Sequence, residues 1–186
     1  MRISLLTIFL FLGFGMMDHA GNDETDHPSD NHNYPVPQHT EKLLFYVQRT
    51  HNRNTVIYEL NLQPDGKLNK KDPVHLLWIR YEEGGIHKEL TFIQTRVYGL
   101  DIHPIGKDNY LLHFRSYKKR DIFLVQTGKY KTYKALISIN SKLAELTNIF
   151  ICSVTNALGI PSTVKYIDIT GIDIATGNVV TERVIP

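Results

Sequence analysis

Residues 49–54 have the highest density of side chains that are suited to binding an anion. The polar members of interest are Arg49, His51, Asn52 and Arg53, and the segment has no acidic residue. An arginine fork binds a carboxylate or phosphate through two parallel hydrogen bonds, and binding residues are concentrated in loops. We therefore predict an anion-binding surface here, which Arg80 joins if its strand ends at the same rim. The alternative is a solvated loop whose arginines pair with acidic residues of the domain.

A second candidate site is the pair Asp101 and His103, which are two residues apart and so lie on one face of a strand. A carboxylate and an imidazole at this spacing can supply two metal ligands or an acid–base pair. No second histidine follows at a usual ligand spacing. The pair is therefore a candidate metal or acid–base site that lacks further ligands.

The common catalytic motifs are absent from the sequence. There is no G-x-S-x-G, no H-E-x-x-H, no phosphate-binding loop, no dinucleotide glycine fingerprint and no pair of cysteines. We expect no catalytic residues and no cofactor. Catalytic groups can also be scattered along a chain, so a hydrolase or metal-dependent enzyme that uses Asp101 and His103 is kept as an alternative.

The candidate residues are positioned by strands. Residues 43–62 alternate between apolar and polar positions on either side of 49–54, which predicts a hairpin that turns Leu43, Phe45 and Val47 toward a core. A Pro-Asp-Gly turn at 63–66 precedes a third strand, 74–81, which carries the only tryptophan.

The rest of the chain continues this pattern with one interruption. Leu90, Ile93, Val97 and Leu100 have the spacing of one helix face, and Gly99 suits the end of that helix. Short alternating segments with frequent turns follow, including a predicted turn at 118–121. We predict a mainly β fold, a single antiparallel β-sandwich or barrel-like domain of about eight to ten strands with at most one short helix.

Three stretches carry a resemblance to a known family. FYVQRTHNRNTVIYELN, PVHLLWIRYEEGG and ELTFIQTRVYGL resemble exported bacterial proteins grouped as domain-of-unknown-function family 4833. The resemblance covers residues 43–184 and implies an exported, β-rich domain. It implies no activity and no site residues.

The N-terminal segments predict export. Residues 1–17 are one arginine and an apolar run, which is short for a membrane span and fits a signal peptide. The alternative is an uncleaved anchor. Residues 18–42 form an acidic, histidine-rich leader that we expect to be disordered, and 43–186 form the domain. The only cysteine, Cys152, lies in an apolar run, so we expect a buried thiol and no lipid-modified cysteine. The predicted location is periplasmic or extracellular.

Charge is divided unevenly along the chain. Without Arg2 and the leader's six acids, the 21 basic and 19 acidic residues become 20 and 13, so residues 42–186 have a net charge of +7. Basic and aromatic residues also alternate at 117–120 and 129–134. Single-stranded nucleic acid binders combine these residues, but an exported protein fits a polyanionic glycan or a membrane surface better. The alternation equally describes strands with one wet face.

We therefore expect an exported, monomeric cell-envelope binding module that is not catalytic. Its partner would be an anionic ligand or an envelope protein, with contact to a membrane surface and none to nucleic acid. The first alternative is a small β-barrel that carries an apolar small molecule or lipid, because many strand positions are aromatic. The second alternative is the enzyme described above.

Overall fold

The computed structural model describes residues 34–128, 132–155 and 161–186. The predicted signal peptide and residues 18–33 of the predicted leader lie outside these ranges. In the described part there are eleven strands and one α-helix. In chain order they are β1 (Leu43–Arg49), β2 (Asn52–Leu60), β3 (Val74–Arg80), β4 (Ile86–Glu89), α1 (Phe92–Tyr98), β5 (Leu100–Gly106), β6 (Asn109–Phe114), β7 (Tyr117–Thr127), β8 (Thr132–Ile139), β9 (Lys142–Thr155), β10 (Pro161–Asp173) and β11 (Val179–Val184).

The strands form one curled, mixed sheet. Neighbours follow the order β4-β3-β2-β1-β9-β8-β7-β6-β5, while β10 pairs with both β9 and β11. All pairings are antiparallel except that of β1 with β9, which is parallel. The fold is mainly β as predicted, but the sheet is not purely antiparallel. Turns between sequence neighbours make hairpins, whereas the long connection from β1 to β9 allows the parallel arrangement.

Strand β9 connects the two groups of strands. Its first residues, 142–145, pair with β8, and residues 148–151 pair with β1. Along 144–155, β9 also pairs with β10. The β1–β4 and β5–β8 groups are therefore both attached to β9, and they curl around a shared core.

Aromatic rings from three strands occupy the core. The rings of Phe45 and Tyr58 are stacked with centroids 4.3 Å apart, and the Phe114 ring meets both edge-on. Tyr58 is fully buried, and its hydroxyl donates a hydrogen bond to the Tyr98 carbonyl oxygen at 2.7 Å. Burial raises the pKa of Tyr58 above its ordinary value, so this hydroxyl keeps its proton and the bond.

The predicted β1–β2 hairpin is present, with a tighter connection than expected. Only Thr50 and His51 separate the strands, and His51 has a φ of 59°. Both faces of β1 are covered, because Gln48 is buried as well as Val47. The Gln48 side-chain amide donates to the Pro35 carbonyl oxygen at 2.9 Å. Residues 34–42, the end of the predicted leader, thus begin with a contact to the outer face of the sheet.

The predicted helix is present as α1, but it buries a different face. Thr91 closes a capping box with Gln94 at its N-terminus. Gln94, Val97 and Tyr98 are buried, whereas Ile93 is 52% exposed. A helix of seven residues makes only two turns, so docking at its C-terminal end determines which residues are covered. None of the described helices is long and apolar enough to cross a membrane.

The predicted turn at 118–121 is wrong, because these residues belong to β7. The chain turns earlier, at Arg115 and Ser116, which separate β6 from β7. Charged residues that suggest a turn are instead accommodated at the start of a strand, close to the edge of the sheet.

Candidate functional site

The structure spreads the predicted anion-binding residues of the β1–β2 hairpin over two faces. Arg49 is paired with Asn52 across the hairpin, and His51 is exposed in the turn. Arg53 follows Asn52 in β2, so its side chain faces the opposite side of the sheet. Anion binding by these side chains stays a prediction. A ligand that contacts both arginines would have to extend around the end of the sheet from one face to the other.

Arg80 follows Ile79 of β3, which is paired with Thr55 of β2, close to this hairpin. The side chain of Asn54 in β2 contacts Glu82, just after β3, through two hydrogen bonds of 3.3 and 3.4 Å. The Arg80 guanidinium forms an ion pair with Glu83 and lies 5.4 Å from the Trp78 ring centroid. Two carboxylates therefore stand near Arg80, which weakens the attraction of this end of the sheet for an anion.

The Asp101 carboxylate is already bound by cations. Lys118 Nζ lies 2.8 Å and Arg115 Nε 3.3 Å from its oxygens. The hydrogen bond from Lys118, together with the charges of both residues, holds the pKa of Asp101 below its ordinary value. The His103 ring is 6.3 Å from the His113 ring. Among the described residues there is no group of three or more His, Cys, Asp or Glu that could hold a metal ion.

A cavity of about 590 Å³ lies between the curled sheet and α1. Ten of its nineteen lining residues are Val or Ile, and they come from β1, α1 and β7 to β11. Three aromatic residues, Tyr98, Phe114 and Tyr117, complete much of the wall. Because side chains two apart on a strand share a face, β9 and β10 each turn several branched aliphatic residues toward this space. These branched side chains leave an open space beside the aromatic core.

The mouth of the cavity is basic. Four cations, Arg115, Lys118, Lys119 and Arg120, line it, and no acidic residue is among the lining residues. Arg120 forms an ion pair with Glu182 of β11, and its guanidinium also donates to the Ser138 carbonyl oxygen. The cavity therefore has an apolar interior and a positively charged entrance.

Hydrogen bonds fix this mouth against the helix. Ser116 Oγ donates to the Val97 carbonyl oxygen at 2.7 Å, and the Arg115 amide donates to the Gly99 carbonyl oxygen at 2.9 Å. A Cβ at Gly99 would lie 2.1 Å from the Thr95 carbonyl oxygen and 3.2 Å from the Arg115 side chain. Only glycine permits the tight C-terminal end of α1, because Thr95 belongs to the same helix and its carbonyl oxygen leaves no room for a Cβ at position 99.

A further polar cluster lies around Cys152, which is buried as predicted. Cys152 is paired with Tyr166 of β10. Burial and a hydrogen bond with Cys152 raise the pKa of Tyr166 to about 12. The Arg183 guanidinium stacks 3.6 Å from the Tyr166 ring centroid and binds Asp168 through two 2.7 Å hydrogen bonds. Their strand neighbours Ile151, Ile167 and Val184 line the cavity, so this cluster belongs to the opposite face of the sheet.

Sequence reasoning singled out 117–120 as a basic and aromatic segment, but it did not place the segment at a cavity. The Val and Ile residues that line the cavity are distributed from position 47 to position 184. Each of them is a residue type that is common at any core position. The alternating aliphatic residues of β9 and β10 were a usable signal for a buried face. They did not indicate whether that face is packed or open.

Comparison with known proteins identifies a family and nothing closer. The model of a domain of unknown function, DUF4833, matches residues 45–183, which confirms the resemblance noted in the sequence. No curated protein and no solved structure matches the chain. The match covers most of the chain, and the protein therefore belongs to the DUF4833 family of domains of unknown function.

Proposed function

We propose that this protein is a non-catalytic binding module that holds an apolar small molecule inside its curled sheet. The observation that carries the proposal is the cavity of about 590 Å³ with walls made largely of Val and Ile. Small-molecule sites typically have volumes of about 300–1,000 Å³, mostly apolar walls and a few polar groups at defined positions. In this proposal the sheet acts as a barrel-like container, and residues 115–120 form its entrance.

The alternative of a surface that binds an anion through Arg49, His51, Asn52, Arg53 and Arg80 has less support. Arg53 and Arg49 face opposite sides of the sheet, and Arg80 is paired with Glu83. A polar ligand at this end of the sheet would gain little binding free energy from arginines that are arranged in this way. An apolar ligand in the cavity would instead gain about 25 cal/mol of binding free energy for each Å² of apolar surface that is removed from water.

The test is binding of the neutral fluorescent probe N-phenyl-1-naphthylamine to a variant with a filled cavity. Ile167 lines the cavity from β10, and Ile167→Trp places a larger side chain there. The matched control is Val179→Trp, because Val179 belongs to the adjacent strand β11 and is 72% exposed. We expect saturable fluorescence enhancement in the wild type and in Val179→Trp, and its loss in folded Ile167→Trp. Equal binding by both variants, or no binding by the wild type, would refute the proposal.

We also propose that the protein acts in the periplasm or outside the cell, as residues 1–17 predict. Alkaline phosphatase needs disulfides that form only after export, so it reports translocation of a fused segment. A fusion of residues 1–42 to this enzyme should be active, and a fusion that lacks residues 1–17 should be inactive. Activity of both fusions, or of neither, would contradict export by this segment.

A further inference from the structure

We infer that the occupant of the cavity is an anionic amphiphile, and that Lys119 contacts its charged head at the mouth. This inference rests on the proposed function, because it assigns a head group to the apolar ligand. The chemistry in question is a carboxylate, phosphate or sulfonate attached to a body that fills an apolar cavity.

The charge balance at the mouth is the first argument. Four cations line the entrance, and the described residues provide two carboxylates against them. Asp101 serves both Arg115 and Lys118, and Glu182 serves Arg120. The entrance therefore keeps an excess of two positive charges beside an apolar interior, where a negative head group is favoured over a neutral one.

Lys119 differs from the other three cations in its partners. Across residues 34–128, 132–155 and 161–186, no carboxylate oxygen lies within 4.0 Å of its ammonium group. Its contact is with an aromatic face, since Lys119 Nζ lies 6.0 Å from the Tyr117 ring centroid. The ammonium group therefore lies near an aromatic ring and is not neutralised by any carboxylate of the described residues.

Lys119 lines the cavity beside Tyr117. Tyr117 is paired with Phe114, whose ring contacts the core residues Phe45 and Tyr58. Lys118 also lines the cavity, but its ammonium group is bound by Asp101 on β5, whose neighbour across the ladder is His113. The two adjacent lysines therefore differ in their partners: Lys118 is engaged by a carboxylate of the sheet, whereas Lys119 is left to a ligand in the cavity.

The experiment uses two pairs of probes that differ only in the head group. N-Phenyl-1-naphthylamine is neutral, and its 8-sulfonate derivative is the anion. Dodecanol and dodecanoate, together with dodecyl phosphate, then serve as competitors. The variants are Lys119→Gln and its control Lys118→Gln, which remove the same charge from neighbouring positions and so change the long-range field equally.

We expect the wild type to bind the sulfonate probe and dodecanoate more tightly than their neutral counterparts. Lys119→Gln should weaken the binding of the anionic ligands by roughly two- to fivefold, the range of an exposed ion pair, and leave the binding of the neutral ligands unchanged. Lys118→Gln should have a smaller effect. If dodecyl phosphate binds more tightly than dodecanoate, the head group is a phosphate. If dodecanoate binds more tightly, the head group is a carboxylate.

Two outcomes overturn the inference while the proposed function stands: equal binding of neutral and anionic probes, and equal effects of the two lysine substitutions. Failure of the wild type to bind even the neutral probe would instead remove the proposed function itself. A third outcome is that the probes bind only after residues 1–33 are deleted. This would mean that a segment of the chain itself occupies the cavity, and it would also overturn the inference of an amphiphile.

Discussion

The hydroxyl of Ser116 donates a hydrogen bond to the carbonyl oxygen of Val97, 2.7 Å away, and this bond joins the β6–β7 turn to the last turn of α1. Val97 and residues 115–120 all line the cavity. The bond therefore fixes the basic mouth at a set distance from one apolar wall. The shape of the entrance depends on a small number of such contacts, because the turn itself is only two residues long.

Ser116→Ala should lower the free energy of unfolding by about 1 kcal/mol, since it removes one partly buried hydrogen bond. It should also loosen the mouth and weaken binding of N-phenyl-1-naphthylamine by a few-fold. Urea denaturation and probe titration measure the two effects. The control is Ser138→Ala on β8, where the residue is exposed and the expected change is within about 0.5 kcal/mol. Equal stabilities of the two variants would show that the bond to Val97 is unimportant.

Gly99→Ala should be among the most destabilising single substitutions near the mouth. Its Cβ would meet the Thr95 carbonyl oxygen at 2.1 Å, so the helix end or the β6–β7 turn must move. Overpacking of this kind costs about 1–3 kcal/mol, and here it falls on backbone atoms that have little freedom to shift. A thermal or urea melt should show the loss.

The control for this substitution is Gly106→Ala at the end of β5. A Cβ at Gly106 would meet no atom within 4 Å, so we expect a small change in stability. If Gly99→Ala were as stable as Gly106→Ala, the close contact between position 99 and the Thr95 carbonyl oxygen would be disproved.

Local features of this fold were predictable from the sequence because short-range chemistry determines them. The turn at 63–66 has Gly66 at a φ of 78°, and its amide bonds to the Gln63 carbonyl oxygen, as the Pro-Asp-Gly sequence indicated. Thr91 and Gln94 form the capping box that starts α1. Val56, Tyr58 and Leu60 of β2 are buried as the predicted alternation required, but Thr55 and Ile57 on the opposite face are buried as well.

Features that depend on distant contacts were not predictable in this way. Val47 of β1 lies beside Ile149 of β9 in a parallel pairing, and no local signal links two strands so far apart in the chain. The basic residues Lys118 and Lys119 suggested a turn, but they belong to β7, where Lys118 forms an ion pair with Asp101 of β5. A β-barrel that carries an apolar ligand was one alternative, but the position and lining of the cavity escaped prediction, because an aliphatic residue beside an open space has the same sequence pattern as one in a packed core.

Asp101→Asn should increase the affinity for dodecanoate by about two- to threefold, because it removes a carboxylate that compensates Arg115 and Lys118. Binding of dodecanol should stay the same. Competition titrations at low and high salt measure the change, and salt should reduce it. The control is Asp65→Asn, because Asp65 pairs with Lys67 in an exposed turn away from the cavity. Equal effects of both substitutions would indicate a general charge effect rather than one at the mouth.

The same carboxylate makes stability depend on pH in the acid range. Lys118 and Arg115 lower the pKa of Asp101 in the folded state, so the unfolded chain takes up this proton first as the pH falls. The stabilisation by Asp101 is present above its unfolded pKa of about 3.9 and is lost as the pH falls through the folded value. The stability difference between the wild type and Asp101→Asn should therefore shrink from pH 6 to pH 2. A difference that grows over this range would contradict the ion pairs.

The length of the apolar body should control affinity until the cavity is full. Each methylene group removed from water contributes about 0.8 kcal/mol, so the affinity for saturated fatty acids should rise about fourfold per added carbon and then level off. The matching alcohols should give a parallel series, displaced to weaker binding by a constant factor that Lys119→Gln reduces. Ile167→Trp reduces the space, so in any residual binding the plateau should come at a shorter chain. Competition against N-phenyl-1-naphthylamine gives all of these series. An affinity that does not change with chain length would mean that the apolar body lies outside the cavity, and the container model would then be wrong even if the head-group preference were observed.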